Sequence, residues 1–156
     1  MKLTNHLPRK LIKVPLEAAD KTEAITALVD HLVESGTTEK RDLLLQAVLD
    51  REAQRSTGIG HGFAIPHAKC DAVKELVIVF GRPVKPIDFA AVDNLPINLI
   101  ALLVSPTNAT STHIQALATL SRMVKNEKVL NGLIEAENAD EFYRIIVDNE
   151  NESTTA

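Results

Sequence analysis

Two runs of consecutive apolar residues constrain the fold of this chain most strongly. Residues 76–80 read Leu-Val-Ile-Val-Phe, and residues 97–104 are apolar at every position except Asn98. Runs of this length that are rich in β-branched residues are typical of strands buried on both faces of a sheet. A third, shorter strand is predicted at residues 10–14, at the edge of the sheet because it ends at Pro15. The chain is therefore expected to combine a sheet with covering helices.

Helical patterns occupy most of the remaining sequence. Asp20 and Glu23 have the spacing of a capping box, and Gly36 stands where the helix that they open is expected to end. A second helix is predicted from Thr37 or Thr38 to about residue 52. Three further helices are predicted, starting at residues 110–112 and spanning residues 127–135 and 142–147.

The length of 156 residues predicts a single domain, which we assign to residues 1–147. Residues 148–156 are polar and lack periodicity, so we expect a disordered tail there. The formal charge of −4, without a basic cluster, argues against binding to nucleic acid. No segment is apolar enough to enter a membrane directly, and the single cysteine fits a reducing compartment, so we expect a cytoplasmic protein.

The stretch of residues 57–69 carries the most distinctive chemistry. It reads Thr-Gly-Ile-Gly-His-Gly-Phe-Ala-Ile-Pro-His-Ala-Lys, with three alternating glycines followed by an apolar run. The glycines allow positive φ angles and close approach, whereas Pro66 makes the backbone before His67 extended and stiff. A neutral imidazole can act as a nucleophile near pH 7, and a phosphoryl group is an obvious acceptor. The alternative is an ordinary surface histidine in a loop.

Two other residues could assist such a nucleophile. Arg51 follows Leu44 and Val48 at helical spacing, so it is predicted to lie on the inward-facing stripe of the second helix, although it could also be a solvated arginine at a helix end. His113 falls in the first turn of the third helix, where free N–H groups favour an anion. An ordinary exposed histidine is the alternative there. The predicted buried stripe of this helix is Ile114, Leu117, Leu120 and Val124.

With these residues assembled, the chain resembles the EIIA component of the bacterial phosphoenolpyruvate-dependent phosphotransferase system, in its fructose/mannitol type. That type includes the nitrogen-regulatory EIIA proteins. Residues 58–69 are similar to the phosphorylation-site motif of the family, and Leu103-Val104-Ser105-Pro106 followed by His113-Ile114-Gln115-Ala116-Leu117 is similar to a second block. The resemblance extends in order and spacing from Leu11 to Val147.

The resemblance implies a fold, a reaction and a set of roles. The fold would be α/β, with a mixed β-sheet of about four or five strands flanked by helices on both faces. His67 would be the phosphorylated nucleophile, with His113 and Arg51 stabilising the phosphoryl group, and no cofactor or metal would be needed. Lys69 is a weaker candidate, which could attract an anionic donor protein or simply be solvated.

The resemblance also implies partners. A histidine-phosphocarrier protein would donate the phosphoryl group to His67, and an EIIB component would accept it during uptake of a fructose-like sugar. In a regulatory version, the phosphorylated fraction would instead control binding to a target protein and so regulate nitrogen metabolism.

Two readings from other classes compete with the phosphocarrier. A metal-dependent enzyme could use His61, His67, Cys70 and His113 as zinc ligands, although these residues lack the short ligand spacings that zinc sites usually have. A non-catalytic EIIA-like module could bind proteins only. The presence of Arg51, His67 and His113 together speaks against that second reading, since a pure scaffold has no need of all three.

Overall fold

The structure, a computed structural model, describes residues 1–91 and 93–155. Within them, a six-stranded sheet is flanked by five α-helices. The strands are β1 (Ile12–Leu16), β2 (Gly58–Gly60), β3 (Phe63–Ala64), β4 (His67–Lys69), β5 (Val77–Pro83) and β6 (Leu99–Ser105). The helices are α1 (Lys21–Glu34), α2 (Arg41–Gln54), α3 (Thr110–Lys125), α4 (Glu127–Glu135) and α5 (Ala139–Thr155).

Strand β6 is the centre of the sheet. All seven of its residues are buried, and it pairs with β5 in antiparallel orientation on one side. On its other side it pairs in parallel first with β3 and then with β4. Strand β1 lies at the edge, parallel to β5. The mixed sheet and its two buried central strands are therefore confirmed. An edge strand is present as predicted, but it spans Ile12–Leu16 and continues through Pro15, so the predicted bounds of residues 10–14 are wrong.

The number of strands exceeds the expected four or five because residues 58–69 contribute three short strands. Each has only two or three residues. A strand of that length shows no alternation of apolar and polar side chains, so periodicity cannot reveal it. These short strands lie where the sequence predicted the phosphoryl site.

The helix boundaries follow local chemistry. Asp20 Oδ1 accepts a hydrogen bond from the Glu23 N–H at 2.8 Å, which confirms the predicted N-cap of α1, and Gly36 has a φ of +84° just after that helix. Helix α2 begins at Arg41, so the predicted start at Thr37 or Thr38 is wrong. The reason is that the buried Thr38 hydroxyl donates to the Ala72 carbonyl at 2.7 Å, which holds this residue against the loop between β4 and β5.

The buried face of helix α3 differs from the predicted one at its first turn, whereas Leu120 and Val124 are buried as predicted. Ile114 is 60% exposed, so its place in the buried stripe is wrong, and His113 is buried instead. The buried residues of α3 are His113, Ala116, Leu120, Met123 and Val124. The polar ring of His113 can be buried here because it forms a hydrogen bond with the Ser105 hydroxyl of β6.

Residues 148–155 continue α5, where the sequence predicted a disordered tail. The helix gains a contact there, because the Glu150 carboxylate accepts hydrogen bonds from the Thr4 N–H at 2.9 Å and hydroxyl at 2.7 Å. Ala156, the last residue of the predicted tail, lies outside the described residues. The domain boundary at residue 147 stays a prediction. None of the described helices has the length and apolar character needed to cross a membrane.

Candidate functional site

The alternating glycines build a tight turn between β2 and β3. Gly60, His61 and Gly62 all have positive φ angles, of 99°, 59° and 74°. Glycine is favoured at such positions because it has no Cβ to clash with the backbone. Gly58 serves a different purpose, since a Cβ placed on it would lie 2.6 Å from the Ala91 Cβ. The turn allows β2 to pair with β3 in antiparallel orientation, and β3 in turn pairs with β6.

His67 is the first residue of β4 and pairs with Leu103 of β6. Its ring is partly buried, and Nδ1 lies 2.7 Å from the Ile65 carbonyl oxygen. A carbonyl oxygen only accepts hydrogen bonds, so Nδ1 must carry the ring proton. In the neutral ring the lone pair is then on Nε2, which makes Nε2 the nucleophilic nitrogen.

The surroundings of His67 favour its neutral form. Burial is the main cause that lowers the pKa of His67 below its usual value, and the charge of Arg51 lowers it further. The Ile65 carbonyl and the Glu52 carboxylate act in the opposite direction. The net lowering leaves the ring neutral at pH 7, as a nucleophile requires.

His113 lies beside His67, although 46 positions separate them in the sequence. The two ring centroids are 5.4 Å apart, with the ring planes inclined at 62°. His113 is only 5% exposed, and its Nδ1 lies 2.6 Å from the Ser105 hydroxyl oxygen at the end of β6. Burial, followed by the charges of His67 and Lys69, lowers the pKa of His113 to about 4. The alternative of an ordinary exposed histidine at position 113 is therefore wrong, and the His113 ring is neutral at pH 7 as well.

Arg51 faces the same cavity as His67. This cavity has a volume of about 330 Å³ and is also lined by Ile65 and by the start of the glycine stretch. The guanidinium Nη1 donates to the Arg55 carbonyl at 3.0 Å, which holds the side chain at the end of α2. The predicted inward stripe is corrected in one respect, because its buried third position is Glu52 and Arg51 is only half-buried.

Glu52 is a residue that sequence reasoning missed. It is 5% exposed, and its carboxylate accepts from the Thr57 N–H at 3.1 Å and from the Thr57 hydroxyl at 2.6 Å. Lys21 of α1 completes an ion pair with it at 3.3 Å. The neighbouring Ser56 hydroxyl donates to the Phe89 carbonyl at 2.7 Å. The Glu52 contacts attach the start of the glycine stretch to α2, and the Ser56 contact attaches it to the loop that contains Phe89.

The other residues singled out in the sequence occupy different places. Lys69 is exposed, and its Nζ lies 3.4 Å from the Thr110 hydroxyl at the start of α3. Cys70 is buried as a free thiol, whereas His61 is exposed on the turn. Across the part of the chain that the structure describes, three or more His, Cys, Asp or Glu side chains are nowhere grouped to hold a metal ion. The zinc-enzyme reading thus gains no support from the geometry.

The chain is similar to known proteins over nearly its whole length. A family model described as "Phosphoenolpyruvate-dependent sugar phosphotransferase system, EIIA 2" matches residues 5–149. The fructose-specific EIIA component of Haloferax volcanii is 40% identical over 130 residues, which cover 83% of this chain and 84% of that protein. A fructose-specific EIIABC component of Bacillus subtilis is 37% identical over 94% of this chain, which spans only 23% of that longer protein.

Solved structures agree with the sequence comparison. The nitrogen regulatory protein IIA-Ntr of Neisseria meningitidis superposes with a TM-score of 0.84 at 29% identity, covering 91% of this chain and 97% of that one. The mannitol EIIA of Escherichia coli, solved in complex with phosphorylated mannitol EIIB, gives a TM-score of 0.76 at 26% identity, covering 89% and 95%. The fold and the sequence lead to the same conclusion: this chain belongs to the EIIA 2 family of the phosphoenolpyruvate-dependent sugar phosphotransferase system.

Proposed function

We propose that this protein is a phosphocarrier that accepts a phosphoryl group on Nε2 of His67 and passes it to a second protein. The hydrogen bond from His67 Nδ1 to the Ile65 carbonyl carries this proposal. It requires the ring proton on Nδ1 and so leaves the Nε2 lone pair free to attack phosphorus. A histidine used only for packing has no need of a fixed tautomer beside a cavity.

The same contact supports the ring after transfer. As the bond from phosphorus to the donor's histidine nitrogen breaks, the bond to His67 Nε2 forms, and the donor histidine leaves with the electron pair. The His67 ring becomes more positive while Nδ1 keeps its proton. The Ile65 carbonyl stabilises that charge, just as it raises the pKa of the free ring.

Arg51 and His113 act on the phosphoryl oxygens. Phosphoryl transfer through a loose transition state depends on positioning and on positive or donor groups around the equatorial oxygens. Arg51 supplies a planar guanidinium that can hold two of these oxygens, and its charge acts at His67 already in the free protein. His113, neutral at pH 7 and beside His67, supplies a ring N–H.

Membership of the family supports a proposal about the partners. We infer that a histidine-phosphocarrier protein is the donor and that an EIIB component, or a regulatory target protein, is the acceptor. The mannitol EIIA complex supports an EIIB as acceptor, since that relative is seen with its phosphorylated EIIB. Relatives named for fructose and for nitrogen regulation support both versions of the function. The free thiol of Cys70 is consistent with a cytoplasmic protein.

The test is phosphorylation of variants in a mixture of phosphoenolpyruvate and the general phosphotransferase enzymes. His67→Ala should take up no phosphoryl group, whereas His61→Ala should take it up as the wild type does, because His61 is exposed on the turn and outside the cavity. Intact-protein mass spectrometry detects the acid-labile adduct. An adduct that persists in His67→Ala would remove His67 from the proposed role.

A further inference from the structure

We propose that Ser105 is a positioning residue that fixes the ring proton of His113 on Nε2, so that His113 presents a hydrogen-bond donor to the phosphoryl group. The inference rests on the proposed function of His67. It concerns the Ser105 hydroxyl, at the end of β6.

Ser105 is held rigidly. It is 0% exposed, it pairs with Lys69 of β4, and its carbonyl accepts from the Cys70 N–H at 2.7 Å. Its hydroxyl oxygen lies 2.6 Å from His113 Nδ1. Among the described residues, this is the hydroxyl's single hydrogen-bond partner. The orientation of His113 is thus set by a fixed group of the central strand.

The direction of this hydrogen bond can be deduced. If His113 Nδ1 donated its proton to Ser105, the buried Ser105 hydroxyl would have no acceptor for its own hydrogen. Leaving a buried donor unsatisfied costs about 1–3 kcal/mol. If Ser105 donates instead, both groups are satisfied, because Nδ1 then has a lone pair to accept with. The neutral ring must therefore carry its proton on Nε2.

The two histidines then hold opposite tautomers with complementary uses. The Ile65 carbonyl keeps the proton of His67 on Nδ1, which leaves a lone pair on Nε2 for attack. Ser105 keeps the proton of His113 on Nε2, where it can be donated to an oxygen of the transferring group. The other tautomer of His113 would present a lone pair to an anion and repel it.

The experiment reads the tautomers directly. In protein labelled with ¹⁵N at histidine, the shifts of the two ring nitrogens distinguish the Nδ1–H and Nε2–H forms at pH 7.5. We expect wild-type His113 in the Nε2–H form and His67 in the Nδ1–H form. In Ser105→Ala, His113 should become a mixture of both forms, whereas His67 should be unchanged. Ser35→Ala, which removes a serine hydroxyl hydrogen-bonded to the Leu32 carbonyl after α1, is the matched control and should leave His113 unchanged.

Phosphoryl transfer is measured on the same proteins. Ser105→Ala should still be phosphorylated on His67, with a rate lower by about tenfold, the effect of one ordinary hydrogen bond. The inference is overturned if wild-type His113 carries its proton on Nδ1, if Ser105→Ala leaves the tautomer unchanged, or if its transfer rate equals that of the wild type. Failure of the proposed function looks different: His67 would take up no phosphoryl group in the wild type, whatever the tautomer of His113.

Discussion

The buried carboxylate of Glu52 gives the sharpest stability prediction. Replacing it with alanine leaves the buried Thr57 N–H and hydroxyl without their acceptors, which lie at 3.1 and 2.6 Å in the wild type. Lys21 loses its carboxylate at 3.3 Å, although it is 29% exposed at the side chain and keeps the Phe89 carbonyl at 3.4 Å. The loss therefore falls mainly on Thr57.

The magnitude follows from these contacts. Each unsatisfied buried donor costs about 1–3 kcal/mol, and we assign little to the partly exposed lysine. Glu52→Ala should thus lower the free energy of unfolding by about 3 kcal/mol. In Glu52→Gln the amide oxygen can still accept from the Thr57 N–H, and the amide N–H₂ can donate to the Thr57 hydroxyl oxygen. The free energy of unfolding should therefore fall by only about 1 kcal/mol.

Urea denaturation followed by circular dichroism at 222 nm measures both values. This probe suits a chain that contains no tryptophan and one tyrosine. Glu135→Ala, at an exposed position of α4, is the control and should change stability by less than about 0.5 kcal/mol. If Glu52→Ala loses no more than the control, the network around Thr57 contributes nothing and does not hold the glycine stretch in place.

Three further outcomes are expected. In rapid-quench transfer assays on folded protein, Arg51→Lys should resemble Arg51→Ala, with a loss on the order of 3 kcal/mol, because lysine lacks the planar fork; a near wild-type rate for Arg51→Lys would mean that charge alone suffices. In the same assay, His113→Ala should accept the phosphoryl group but transfer it about 10²-fold more slowly, and an unchanged rate would contradict its role. The pKa of His113 is lowered to about 4 from 6.5, so the unfolded chain takes up this proton at a higher pH than the folded protein does. The free energy of unfolding should therefore decrease as the pH drops from 6.5 to 4. Urea titrations should show a flatter pH profile for His113→Gln, and parallel profiles would contradict this sign.

Local signals in the sequence were enough to predict the two central strands and to single out His67 as the proposed nucleophile. The alternating glycines and Pro66 mark His67 without any knowledge of its neighbours, and the apolar runs mark β5 and β6. Helical spacing singled out Arg51 and His113, the resemblance to the family then implied their roles, and the structure brings both close to His67.

The supporting residues could not be predicted because their contacts are long-range. Glu52 looks like an ordinary helix-end carboxylate until the chain brings Lys21 beside it, and Ser105 looks like a strand terminus until α3 places His113 on it. The same contact explains why the predicted stripe on α3 is wrong at Ile114. Periodicity chose the more apolar Ile114, whereas the hydroxyl of Ser105 allowed His113 to be buried in its place.

The central claim concerns one nitrogen atom, and NMR of the phosphorylated, ¹⁵N-labelled protein tests it most directly. A coupling between phosphorus and a ring nitrogen identifies the atom that carries the phosphoryl group. We predict that coupling at Nε2 of His67, with Nδ1 still protonated and hydrogen-bonded to Ile65. A coupling at Nδ1 of His67, or at any other residue, would contradict the proposed mechanism.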